Sequence, residues 1–156
     1  MFDLTGKSAI ITGSSKGIGK SIAMQMALHG AKVVVSSRKA DVCQETADEI
    51  NEACKDTDGE AIVIPCNISD KTALQMLVDE TRNQFGQIDI LVCNAATNPF
   101  FGSMMDIPDD AFDKVMNNNI KSNHSLCQMV IPEMRERKNG SIIVVSSIGG
   151  LQASTV

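Results

Sequence analysis

The chain contains no tyrosine, so no phenol is present to pass a proton to a reacting oxygen. No run of about 18 apolar residues occurs, which excludes a helical membrane span. The N-terminus from Met1 to Lys7 lacks the long apolar region of a secretory signal, and a soluble, cytoplasmic protein is expected. There is no C-x-x-C pair: Cys43, Cys54, Cys66, Cys93 and Cys127 form an odd, scattered set that suits a reducing compartment and supports neither a disulfide framework nor a metal site. Basic charge is scarce, with a net charge of -5 and a pI near 4.9. The one basic knot, Arg135, Arg137 and Lys138, reads as a helix C-terminus complementing its dipole, so no nucleic-acid partner is expected.

What is there is a chain of 156 residues with 43% hydrophobic content, enough for one domain, 1–156, with a substantial core. Short β-branched runs alternate with helical periodicity. Strands are predicted near Ser8–Ile11, Ala31–Ser36, Ala61–Pro65, Ile88–Cys93 and Ser141–Ser146. Helical spacing starts at Ile18, Ile22 and Met26, returns over 41–54, and again from a Ser69 or Asp70 cap to Phe85. A long fourth pattern carries Phe112, Val115, Met116, Ile120, His124, Cys127, Val130, Ile131 and Met134 before Asn139-Gly140 ends it. It would reach about eight turns if unbroken. Regular βα alternation forces right-handed crossovers, a parallel sheet and helices on both faces, with ligands at the carboxyl ends of the strands.

The stretch Thr12-Gly13-Ser14-Ser15-Lys16-Gly17-Ile18-Gly19 lies between the first strand and first helix. Glycines there let the backbone approach a ligand, and a helix N-terminus attracts phosphate, although three glycines at a strand-to-helix turn are also plain turn chemistry. A P-loop would use the Gly19-Lys20-Ser21 ending, but its first glycine would then fall at Ser14. The strand Ile88–Cys93 also runs into Asn94, where a P-loop enzyme wants an acidic residue for magnesium. Polar residues recur at the other strand ends: Ser37-Arg38-Lys39, Asn67, Asn94 and Ser147. The topology sets them on one rim.

Four motifs in order resemble those of the short-chain dehydrogenase/reductase family: Thr12-Gly-x-x-x-Gly17-x-Gly19, Cys93-Asn94-Ala95-Ala96, Asn119-Ile120-Lys121-Ser122 and Ser146-Ser147-x-x-Gly150. The resemblance implies a Rossmann-type doubly wound parallel sheet, cut off after its fifth strand. It also implies an oxidoreductase that interconverts a carbonyl and an alcohol by hydride transfer. By it, Gly13, Gly17 and Gly19 shape the pyrophosphate loop, Ile18 sits toward the nicotinamide, and Ser15 and Lys16 of the same loop are cofactor-binding. Asn94 steadies the central strand and borders the adenine ribose, with Ala95 beside it as cofactor-binding, and Asn67 stands where an aspartate usually faces the adenine. Ser147 and Asn119 are the implied catalytic residues. Ser147 would bind the substrate oxygen, its alternative being a capping serine; Asn119 would hold a water in a proton relay, its alternative being one more residue of a polar face with Asn117, Asn118 and Asn123.

At the end of the second strand an acidic residue would select NAD, whereas this chain has Ser37 and Arg38, with Lys16 nearby. The guanidinium fork suits a 2′-phosphate, and NADP(H) is expected. The Y-x-x-x-K pair of the family is absent up to Val156. His29 and His124 are poor substitutes, the first ending a helix and the second fitting a buried stripe. The resemblance thus implies an N-terminal portion, inactive alone, from a homodimer or homotetramer, with an apolar strip exposed. Phe100, Phe101 and Met104 point to a hydrophobic small-molecule substrate. The rival reading is a non-catalytic dinucleotide-binding module.

Overall fold

The computed structural model describes residues 2–152. Five parallel strands form one sheet in the order β3-β2-β1-β4-β5. They are β1 (Ser8–Thr12), β2 (Lys32–Ser36), β3 (Glu60–Val63), β4 (Ile90–Cys93) and β5 (Ser141–Val144). Helices α1 (Gly17–Leu28), α2 (Ala40–Ala53) and α3 (Lys71–Phe85) supply the first crossovers. The chain runs outward from β1 to β3 and then returns to place β4 on the other side of β1. The strand order therefore reverses between β1 and β4, which is where α/β sheets open a crevice.

The strands are continuous apolar runs because helices cover both faces. Ala9, Ile11, Val33, Val35, Ile90 and Val92 face one core with Ala23 and Ala27 of α1 and Ala47 and Ile50 of α2. The alternate residues Ile10, Val34, Leu91 and Cys93 face the other, with Leu74 and Leu77 of α3 and Leu126 and Val130. The period-2 register thus divides one sheet between two cores. Helix α3 starts at Asp70, whose carboxylate accepts the Thr72 and Ala73 N–H groups at 2.8 and 3.3 Å.

The long helical pattern is one continuous helical run with a defect. It comprises α4 (Asp109–Val115), a π-helical segment (Met116–Lys121) and α5 (Ser122–Arg137). Pro132 lies inside α5 without ending it. The stop comes just before Asn139-Gly140: Lys138 takes the left-handed conformation (φ 52°), and the Lys138 and Asn139 N–H groups bond the Arg135 and Met134 carbonyls. The expected apolar stripe is split: Val130 and Met134 are buried and Val115 and Cys127 half-buried, whereas Phe112, Met116, Ile120, Ile131 and, against expectation, His124 are exposed. The buried face is completed by Ala111, Ser122 and Leu126. A π turn rotates the register, and small polar residues such as Ser122 and Ser125 take the close approach to the sheet.

The opposite end of the sheet from the crevice is closed by an ionic network. Asp89 is buried, accepts the Ser8 N–H at 3.0 Å and the Gln87 amide at 3.0 and 3.1 Å, and faces Lys7 and Arg137 at 3.9 and 4.0 Å. Arg137 also donates to the Ile88 carbonyl (2.7 Å) and to Glu133 (3.0 Å), so it is more than a solvated charge at a helix end. Asp89→Ala leaves these donors facing an empty site, and urea unfolding should show a loss of about 2–4 kcal/mol.

Candidate functional site

Two clamps fix the loop after β1. The Ser14 hydroxyl donates to the Ile11 carbonyl at 2.6 Å and accepts the Ser36 N–H at 2.8 Å, tying the loop to β2. The Thr12 hydroxyl accepts the Asn94 and Ala95 N–H groups at 3.0 and 3.1 Å. In return the Asn94 amide donates to the Thr12 and Gly13 carbonyls at 2.9 and 3.1 Å. Gly13 has φ +67°, and a side chain there would meet the Ala95 Cα at 2.9 Å. Thr46 of α2 donates to the Ser15 carbonyl at 2.9 Å and holds the loop from outside.

The clamped loop leaves the start of α1 open. No side chain caps it and no acidic residue lies in its first turn. Its first N–H groups and positive dipole end are therefore free to meet an anion. Lys20, the residue a P-loop would aim at phosphate, pairs instead with Glu49 of α2 at 2.5 Å.

These segments border a cavity of about 630 Å³. Every residue expected at the cofactor lines it: Gly13, Ser15 through Gly19, Ser37 with Arg38, Asn67, and Asn94 with Ala95. Arg38 is exposed and has no side-chain hydrogen bond or ion pair among the described residues. The Ser37 hydroxyl lies 3.2 Å from the Cys43 sulfur. Asn67 closes a turn, its Oδ1 accepting the Ser69 N–H and hydroxyl at 3.3 and 3.0 Å, so its NH₂ is the end left for a ligand.

The two residues expected to be catalytic lie outside this lining. Asn119 grips the loop after β4, its Oδ1 accepting the Thr97 N–H (2.8 Å) and its Nδ2 donating to the Thr97 carbonyl (2.9 Å). Ser147 caps the 3₁₀ turn Ile148–Gly150, its hydroxyl accepting the Gly149 N–H at 3.1 Å. It stays near the rim because the Val145 N–H bonds the Cys93 carbonyl at 3.0 Å. Asn117, Asn118 and Asn123 are not a generic polar face. Asn117 bonds the Ser69 carbonyl, Asn123 the Asn119 carbonyl, and Asn118 is buried and lines the cavity. Sequence spacing missed Asn118, Ser14 and Thr46, and only the run of three asparagines flagged the first.

Burial pushes the Cys66 thiol up to about 11 and, with Cys127 adding to it, the Cys93 thiol up to about 12. Both stay protonated and unreactive near neutrality. Alkylation by iodoacetamide at about pH 8 should spare them in the folded protein and label them in urea. The folded state holds the Cys66 proton longer than the unfolded chain, so its contribution to stability is complete below the ordinary 9.0 and lost as pH rises toward about 11.

A parallel sheet that reverses its order beside a glycine cradle and an open helix N-terminus defines a Rossmann-type α/β protein. The family profile described as short chain dehydrogenase matches residues 7–156, and the chain belongs to that family. It is 40% identical over 154 residues to human "Dehydrogenase/reductase SDR family member 4", covering 97% of this chain and 53% of the relative. It resembles a 7α-hydroxysteroid dehydrogenase complexed with NADH and 7-oxo glycochenodeoxycholic acid, with 34% identity, TM-score 0.85, and coverage of 99% of this chain and 60% of the other. A metagenomic short-chain oxidoreductase in complex with NADP superposes at TM-score 0.88 and 30% identity, over 97% of this chain and 66% of the other. The chain spans about half the length of the curated relatives it matches.

Proposed function

We propose that the protein is an NADP(H)-dependent oxidoreductase that interconverts an apolar carbonyl compound and its alcohol. The observation that carries this reading is the pairing, in one cavity, of an uncapped helix N-terminus behind the glycine cradle with an unpaired Arg38 at the end of β2. The α1 N–H groups, with Lys16 beside them, would take the pyrophosphate. Arg38 and the Ser37 hydroxyl would take the 2′-phosphate, a bidentate pairing that an NAD site with an acidic residue there forbids. Relatives complexed with NADH and with NADP both occur, so the choice rests on these two side chains.

A bound nicotinamide supplies or accepts the hydride. The chain's own part is to orient the reacting oxygen by the Ser147 hydroxyl and to hold the loop at Thr97 through Asn119. The accompanying proton needs an acid that these residues do not supply. There is no tyrosine, His124 is exposed on α5, and His29 bonds the Gln25 carbonyl at the far end of α1. The 156 residues alone are therefore proposed to complete no turnover. Exposed Phe101 and Met104, on the loop after β4, support an apolar substrate, and exposed Phe112, Met116 and Ile120 support assembly as a homodimer or homotetramer. Unpaired cysteines, mostly buried, support a reducing, cytoplasmic setting.

The test is NADPH consumption by the intact protein with a panel of apolar ketones, before and after Ser147→Ala. Turnover that drops about 100-fold in the variant is expected. NADPH binding without turnover across the panel would favour a non-catalytic binding module.

A further inference from the structure

Asn118 is a buried polar residue with one end unused. It is 6% exposed, its Nδ2 donates to the Thr97 hydroxyl at 3.1 Å, and its Oδ1 is buried without a hydrogen-bond partner. Folded proteins seldom leave a buried acceptor unpaired, and such an atom in a cavity wall marks where a ligand donor fits. Its neighbours cannot relieve it. Both polar atoms of the Asn119 side chain are spent on the Thr97 backbone, and the Asn94 NH₂ is spent on the Thr12 and Gly13 carbonyls. The other buried orphan among the described residues, Arg137 Nε, belongs to the network at the opposite end of the sheet.

The position of Asn118 names the part of the ligand. It sits in the π segment, where the adjacent Asn117 donates to the Ser69 carbonyl at 3.4 Å, so this turn leans on the connection after β3. Asn67 and Ile68 of that connection line the same cavity. In a Rossmann-type crevice the side of β2 and β3 receives the adenosine, whose ribose meets the residue ending β2. Adenosine carries the donors that an orphaned oxygen needs, the ribose hydroxyls and the adenine amino group.

Resting on the dinucleotide reading above, we infer that Asn118 Oδ1 accepts a hydrogen bond from the adenosine half of the bound cofactor and acts as a binding determinant for that half. Thr97, by holding the amide's other end, sets the direction in which the oxygen points.

Isothermal titration of the intact protein tests this with three probes: NADPH, ADP-ribose, which carries the adenosine half without a 2′-phosphate, and reduced nicotinamide mononucleotide. Asn118→Leu, close in size but without the acceptor, should bind NADPH and ADP-ribose about tenfold more weakly and leave the mononucleotide unchanged. Asn118→Ala, which opens space, reads the same way should the leucine variant fail to fold. Unchanged binding in the folded variant, as when a water satisfies the oxygen, overturns the inference and leaves the dinucleotide reading standing. A loss confined to the mononucleotide overturns the assignment to adenosine. If the parent protein binds none of the three, the dinucleotide reading falls and this inference with it.

Discussion

Arg38→Asp is expected to weaken NADPH binding by about 100-fold while NADH binding holds or improves. The size follows from two changes at one position. A charge-assisted contact between guanidinium and phosphate, of about 1.5–3 kcal/mol, is lost. A carboxylate then repels the same phosphate while offering acceptors to a free 2′-hydroxyl. The fold is not expected to suffer. Arg38 and the N-cap Lys39 precede α2, where positive charge opposes the helix dipole, and Arg38 pairs with no carboxylate among the described residues. An unfolding midpoint that stays level or rises, together with the lost NADPH affinity, would separate binding from folding. A variant that keeps its NADPH affinity would show that Arg38 is only a solvated charge.

Gly19→Val should abolish cofactor binding and destabilise the fold by about 2 kcal/mol or more. A Cβ at Gly19 would collide with the Gly13 carbonyl oxygen and lie 2.5 Å from Asn94 Nδ2 and 2.9 Å from the Ser14 Cα. None of these can move freely. Two are backbone atoms of the clamped loop, and the third is held by hydrogen bonds to Thr12 and Gly13. The loop must shift, and with it the start of α1. Gly17→Ala provides the contrast. Nothing lies within 4 Å of its Cβ, and only its φ of +58° opposes a side chain, so about 1 kcal/mol is expected. Thermal unfolding and NADPH titration of both variants check this ordering. Equal losses would contradict the close-approach account, because Gly19 lies inside α1 without a positive φ and only crowding sets it apart from Gly17.

Much of the fold was legible because both of its periods are strong. Val33-Val34-Val35 and Ile90-Leu91-Val92 are apolar at every position because cores lie on both sides of the sheet, and that pattern already implies the parallel arrangement. Strand ends drifted by up to two residues. β5 stops at Val144, for example, where its ladder with β4 runs out at Cys93. The direction of the long helix was not legible. Phe112, Met116 and Ile120 are as periodic on an outward face as on an inward one, and periodicity reveals a stripe without its partner. The π segment that turns Asn118 inward leaves no mark in the spacing.

The residues that line the crevice could be picked out because glycines and polar strand ends stand out against apolar runs. The residues that secure them could not. Ser14 looks like any turn serine until its hydroxyl is seen between Ile11 and Ser36. At the other end of the sheet, Asp89 looks like any surface acid until four partners surround it. Such roles depend on contacts 22 residues apart in the chain, as with Ser14 and Ser36, or 81 apart, as with Ser8 and Asp89, which local pattern does not record.

The most direct test is a titration of the intact protein with NADPH and with NADH under one condition, followed by nucleotide fluorescence or calorimetry. Saturable NADPH binding about tenfold or more tighter than NADH is predicted from Arg38 and Ser37 at the rim of the cavity. NADPH binding no tighter than NADH, or no binding of either, would contradict the account.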